Sequence, residues 1–162
     1  MRRKKQEITD RLRIEKIIQS AEICRLGLSL ENKPYMFPLN FGYKENTLYV
    51  HSAIEGKKID IIKHNNNVCF EIEANTKIVE GKSACNWSMH YQSVMGSGKA
   101  SFIDNTEEKI KALDVIMKHY TEKDSQFPEA ALKITAVIKI EIEEMTAKQN
   151  GYQIGNKQRN TN

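Results

Sequence analysis

Alternation of apolar and polar residues with a period of two recurs six times along this chain, and two main helical stripes interrupt it. Leu26, Leu28 and Leu30 share one face against Arg25, Gly27 and Ser29. The runs 34–43 and 47–52 follow, and then Val68, Phe70 and Ile72 oppose Cys69, Glu71 and Glu73. Residues 87–103 form a long fifth run, and Ile138, Ile140 and Ile142 complete the series. Neighbouring side chains of a strand point to opposite faces, so each run predicts a strand with one face turned to a core. Pro38 narrows the arrangement. Proline cannot donate to a ladder, so the 34–43 strand lies at a sheet edge or is bulged there, with backbone groups at Leu39 and Asn40 left free. Gly96 and Gly98 inside the fifth strand predict a bend of the kind a small closed barrel needs at its corners.

Helical segments are marked by their caps. Thr9 or Asp10 can cap a helix whose stripe is Leu12, Ile14, Ile17, Ile18 and Ala21. Asn105 followed by Glu108 opens a second helix, carrying Ile110, Leu113, Ile116, Met117 and Tyr120. A shorter one bears Ile59, Ile61 and Ile62 and stops at Asn65-Asn66-Asn67, and Phe127-Pro128 leads into another short piece. Residues 1–8 are expected to be loosely held, 74–86 to form a polar loop, and the tail after Met145 to be a surface strap or disordered. The fold expected is α+β: a six-stranded, mostly antiparallel barrel with flanking helices over residues 1–148, followed by a polar tail at 149–162.

The bulk properties exclude several classes. At 162 residues the chain is long enough for one domain with a core and short for two. An excess of 25 basic over 21 acidic side chains, mostly at the two ends, does not argue for nucleic acid. No apolar run approaches the roughly 18 residues of a membrane span. The basic N-terminus continues into charged residues instead of a signal-like apolar core, which reads as cytoplasmic. Cys24, Cys69 and Cys85 are too scattered for a disulfide framework or a paired-cysteine zinc site.

One stretch carries chemistry. Ser52-x-x-x-Gly56-Lys57-Lys58 leads from a strand into a helix, where free backbone N–H groups, the helix dipole and two ammonium groups together suit a phosphate. His51 ends the preceding strand. It is either a partly exposed filler or a group facing a ligand whose phosphate lies a few residues on. His64 suits a helix C-terminus, and His90 and His119 read as surface residues. The four histidines do not stand at metal-ligand spacing, and no metal site is expected. No nucleophile elbow, Walker lysine motif or dinucleotide fingerprint is present. Cys85 stands out among the thiols only for its place beside Trp87.

Six segments taken in order, PLNFGY, LYVHSAIEGKK, VCFEIE, CNWSMHYQSVMGSGKA, KALDVIMKHY and IEIEEMTAK, resemble the nitroimidazole-resistance branch of the pyridoxamine-phosphate-oxidase-like FMN-binding proteins. The resemblance spans about Arg2 to Lys148. It implies a split β-barrel homodimer with FMN at the subunit interface. Carried over by motif, Leu39 and Asn40 lie along the isoalloxazine edge. His51, Ser52 and Ala53 touch the ring and ribityl chain, and Lys57 and Lys58 hold the phosphate. Trp87, Tyr91 and Ser93 of the second subunit cover the pocket, Trp87 being equally readable as a core residue. The function implied is a flavin-dependent reductase of a nitroaromatic or other small acceptor, with His51 as its proton donor or acceptor. The alternatives are a flavin carrier without turnover and a haem-binding barrel. The oxidase proper has arginines around its phosphate and substrate sites, and this chain has no matching arginine-rich strand. Pyridoxamine phosphate is therefore not the expected substrate.

Overall fold

The computed structural model describes residues 4–152. In chain order these form β1 (Glu7–Ile8), α1 (Arg11–Ser20), β2 (Cys24–Leu30), β3 (Lys33–Leu39), β4 (Phe41–Lys44), β5 (Thr47–Ala53), α2 (Lys57–His64), β6 (Asn67–Val79), β7 (Ser88–Phe102), α3 (Thr106–Tyr120), α4 (Glu129–Ile134) and β8 (Thr135–Asn150). All strand pairs are antiparallel, and the sheet runs β3-β2-β6-β7-β8-β5-β4, with β1 added to β8.

The two edges of this sheet, β3 and β4, are consecutive in the chain and separated only by Asn40. One residue reaches no further than about 3.5 Å, so the sheet has to curl until its edges meet. No ladder joins them, which makes the fold a split barrel. Pro38 lies on the edge strand, as its missing N–H requires. It also ends the ladder near the point where the chain changes edges, so the 34–43 run divides into β3 and β4. This division and the short β1 raise the six expected strands to eight.

The inner face packs Leu26, Phe41, Leu48, Val50, Phe70, Ile72, Val94 and Ile140 with Ile17 and Ile18 of α1 and Ile59 and Ile62 of α2. A second apolar cluster lies on the outer face, where Ala112, Leu113 and Ile116 of α3 and Leu132 of α4 cover Val137 and Tyr49. The expected caps are in place: Asp10 accepts from Leu12 N, and Asn105 from Glu108 N. Leu12, however, is not part of the buried stripe and stays 69% exposed. In the fifth run a register shift at Ser97/Gly98 bends β7 against β8. A Cβ at Gly98 would lie 2.2 Å from Glu141 O, so only glycine fits there.

Three expectations of looseness are corrected. Ile8 is buried, and β1 pairs with β8 at Lys148 and Ala147. The first part of the 74–86 loop, 74–79, is strand, because β6 continues to Val79 past a bulge between Ala74 and Lys77. The chain after Met145 remains in β8 as far as Asn150, with Ala147 and Gln149 buried. From residue 153 on, the expected tail lies outside the described residues.

Candidate functional site

The predicted residues fall into two groups at different places in the barrel. The first lies at the seam. Phe41 and Val50 form the last pair of the β4–β5 ladder, and Asn40 and His51 each lie one residue beyond it. β4 has ended there, and the outward edge of His51, Ser52 and Ala53 is without a strand partner, while their other edge is held by Val137, Ala136 and Thr135 of β8. His51, Ala53 and Asn40 are exposed, and Ser52 and Leu39 half-buried. After three intervening residues the chain enters α2 at Lys57.

Gly56 is the N-cap of α2, at φ 117°, and makes no side-chain capping bond. A side chain is strained at that φ, which is the reason for glycine there. The Gly56 carbonyl takes Ile59 N and Asp60 N, leaving the N–H groups of Lys57 and Lys58 without an intrahelical partner. Lys57 Nζ stands 4.5 Å from the Tyr35 ring centroid and Lys58 Nζ 4.9 Å from that of Phe37. The two rings are themselves 5.2 Å apart on β3. The seam thus joins two edge strands, an uncapped helix N-terminus and two ammonium groups resting on aromatic faces. An anion can be held there, because leaving a ring face costs a lysine little compared with meeting a phosphate.

The second group lies on β7. His51 is level with Val137 on β8, whereas Ser93 pairs with Lys148, eleven residues further along the same strand. That is roughly 35 Å of strand. Trp87, Tyr91 and Ser93 alternate with Met89 and Met95 along one face, and Ile78 of β6 sits opposite Met89. Trp87 is 53% exposed and so is not a core residue of this chain. Ile78, Met89 and Met95 are exposed as well. In their midst Ser93 is buried, and its Oγ has no hydrogen-bond partner among the described residues. A buried hydroxyl without a partner is costly, and an apolar stripe around it is the mark of a surface that something covers. Three surface hollows of about 430, 670 and 370 Å³ lie beside α3 and at the β2–β6 end, and none is lined by any of the ten predicted residues.

Some participants had no recognised signal. Tyr35 and Phe37 alternate on an edge strand and could have been noted as a platform under the two lysines. His119 is not a surface residue: its Nε2 lies 2.7 Å from Ala21 O, and its ring is 4.3 Å from that of Phe41. Tyr120, read as part of an apolar stripe, puts its hydroxyl on the seam instead.

The family model for pyridoxamine 5'-phosphate oxidase matches residues 10–149. The chain belongs to that family. Among solved structures, a candidate 5-nitroimidazole antibiotic resistance protein from Bacteroides thetaiotaomicron is 42% identical, the alignment covering 88% of this chain and 86% of that one with a TM-score of 0.80. The flavocytochrome Anf3 from Azotobacter vinelandii shares the fold at a TM-score of 0.80 and 19% identity, covering 97% of this chain and 75% of its own. An FAD- and haem-binding protein from Mycobacterium smegmatis does so at 0.80 and 17%, covering 93% and 76%. Among curated proteins, none matches the chain. This oxidase-family chain has no helix among its described residues long and apolar enough to cross a membrane.

Proposed function

We propose that the protein is an FMN-binding homodimer that passes electrons to a small nitroaromatic or similar acceptor. The observation that carries this reading is the seam, where Asn40 and His51 each lie one residue beyond the last β4–β5 pair and the chain runs within a few residues into the uncapped start of α2 with Lys57 and Lys58. Asn40 and Leu39 border the ring, His51, Ser52 and Ala53 follow its edge and ribityl chain, and the two lysines with the first N–H groups of α2 take the phosphate. The second subunit supplies Trp87, Tyr91 and Ser93, which within one chain are too far along the sheet to reach the seam. Covering this face also gives the orphaned Ser93 hydroxyl a partner. The likeness to the Bacteroides protein supports a nitroaromatic acceptor.

Bound flavin supplies the electron transfer; the chain supplies position, charge and exclusion of water. His51, exposed at the mouth, gives or takes the proton that accompanies reduction of the acceptor. The first test is the visible spectrum of the purified protein, before and after mild reduction, followed by FMN titration and turnover of a nitroimidazole. Flavin bands that bleach, with turnover faster than free FMN, are expected. His51→Ala is expected to keep the flavin and lose about tenfold or more in turnover. Stoichiometric flavin with no acceleration would make the protein a carrier, a Soret band would make it a haem protein, and a colourless protein indifferent to FMN would end the reading.

A further inference from the structure

At the crossover the backbone leaves one edge strand and joins the other, and its polar groups lose their ladder partners. Phe41 N donates to Tyr120 Oη at 2.9 Å, and the same hydroxyl donates to Glu22 O at 2.9 Å, just before β2 begins. A phenol can accept one bond and donate another, so one oxygen ties the start of β4 to the approach to β2 across the split. Tyr120 is the last residue of α3, a helix that lies on the outer face of the sheet. His119 beside it holds Ala21 O at 2.7 Å, and the two rings meet edge to face at 4.7 Å. The end of α3 therefore fastens the seam that hydrogen bonds between strands leave open.

Asn40 is the residue caught between these fixings. On one side Leu39 pairs with Cys24; on the other the Phe41 N–H is held by the phenol. Burial pushes the Tyr120 hydroxyl above its ordinary range, while the hydrogen bonds it shares with the Phe41 backbone and the Asn40 side chain pull it back. We infer that Tyr120 is a positioning residue, which sets Asn40 against the flavin ring by fixing the crossover backbone. This rests on the flavin reading above.

The test is a double-mutant cycle on the full-length protein, with affinities for FMN and riboflavin measured by fluorescence quenching and the bound flavin followed by its visible absorption band. Tyr120→Phe keeps the ring and removes only the bridging oxygen. It is expected to weaken both flavins about tenfold, to shift the visible band, and to leave the ratio of FMN to riboflavin affinity unchanged, because the phosphate end is untouched. Adding Tyr120→Phe to Asn40→Ala is expected to cost nothing more. Equal affinity and spectrum in wild type and Tyr120→Phe would overturn the inference, as would losses that simply add in the double variant. A wild type that binds neither flavin would overturn the functional reading itself. If Tyr120→Phe does not fold, 3,5-difluorotyrosine at the same position keeps every atom of the bridge but makes the phenol more acidic. The bound-flavin band should then shift with pH over the fluorinated phenol's titration, and a pH-independent band would refute the role.

Discussion

The seam and the outer end of the β6–β7 hairpin are the two unfinished parts of this molecule, and they are unfinished in opposite ways. At the seam the groups left over are polar: free helix N–H groups, two ammonium groups and the edges of β3 and β5. On the hairpin they are apolar, with Ile78, Trp87, Met89 and Met95 exposed around one orphaned hydroxyl. A polar gap can be met by water until an anionic ligand arrives. An apolar surface gains nothing from water and calls for another surface. On the reading proposed above, the first region takes the flavin and the second another copy of the chain.

The largest effect is expected on the hairpin. Trp87→Glu combined with Met89→Glu should weaken self-association by about 100-fold or more, and flavin binding should fall with it. Both residues are exposed, so the subunit's own stability should move by no more than about 0.5 kcal/mol. Sedimentation against concentration, with a flavin titration beside it, reads both. A variant that stays dimeric would remove the distinction between the two regions.

Gly42→Ala attacks the support of the seam. A Cβ there would lie 2.6 Å from the carbonyl carbon and oxygen of Val115 and 2.7 Å from Ile116 N. These are backbone atoms of α3, which cannot turn aside, so the helix must lift from the sheet. About 2–3 kcal/mol of stability should be lost in chemical denaturation, whether or not the hairpin is covered.

What the sequence revealed of this arrangement depended on how local each cause is. Pro38 marked an edge because a missing N–H is a property of the residue, and the Asp10 and Asn105 caps were legible because their partners lie two and three positions away. The second half of β8 was not legible. Thr146 to Asn150 alternates correctly, but one of its inward residues is Gln149, whose polar head is satisfied by Arg13, 136 positions away. The bulge at Asn75, with φ 56°, likewise breaks the period of β6 and disguises strand as loop. At the candidate site, the continuous stretch from Leu39 to Lys58 stood out because its members are chain neighbours. Tyr120 did not, since its hydroxyl meets residues 79 and 98 positions distant and its ring fits an apolar stripe equally well.

The polar character of the seam is tested by its lysines. Lys57→Ala and Lys58→Ala should each weaken FMN about tenfold and leave riboflavin, which lacks the phosphate, nearly unchanged. Titrating both flavins into each variant separates charge from packing. Equal losses for the two flavins would mean that the lysine stems matter through Tyr35 and Phe37, and that no phosphate is held there.

The mildest contrast concerns the thiols. Cys24 lies opposite Leu39 beneath the seam and is fully buried, whereas Cys69 is exposed and Cys85 sits exposed in the hairpin loop. A thiol reagent at neutral pH should therefore modify two cysteines quickly and the third only on unfolding. Burial, with a smaller push from Glu71 and against the pull of Arg25, raises the Cys24 thiol from 9.0 to about 12. Between those values the folded chain keeps a proton that the unfolded chain has released. The unfolded state then binds fewer protons, so stability is intact below pH 9 and declines as pH rises, by about 1.4 kcal/mol per pH unit from this group. Tyr43 and Tyr120, also raised by burial, act in the same direction at higher pH. Urea midpoints of Cys24→Ala and wild type should therefore converge as the pH is raised from 9, because the variant lacks the term that wild type loses. A constant difference across that range would mean that the thiol beneath the seam is reached by water.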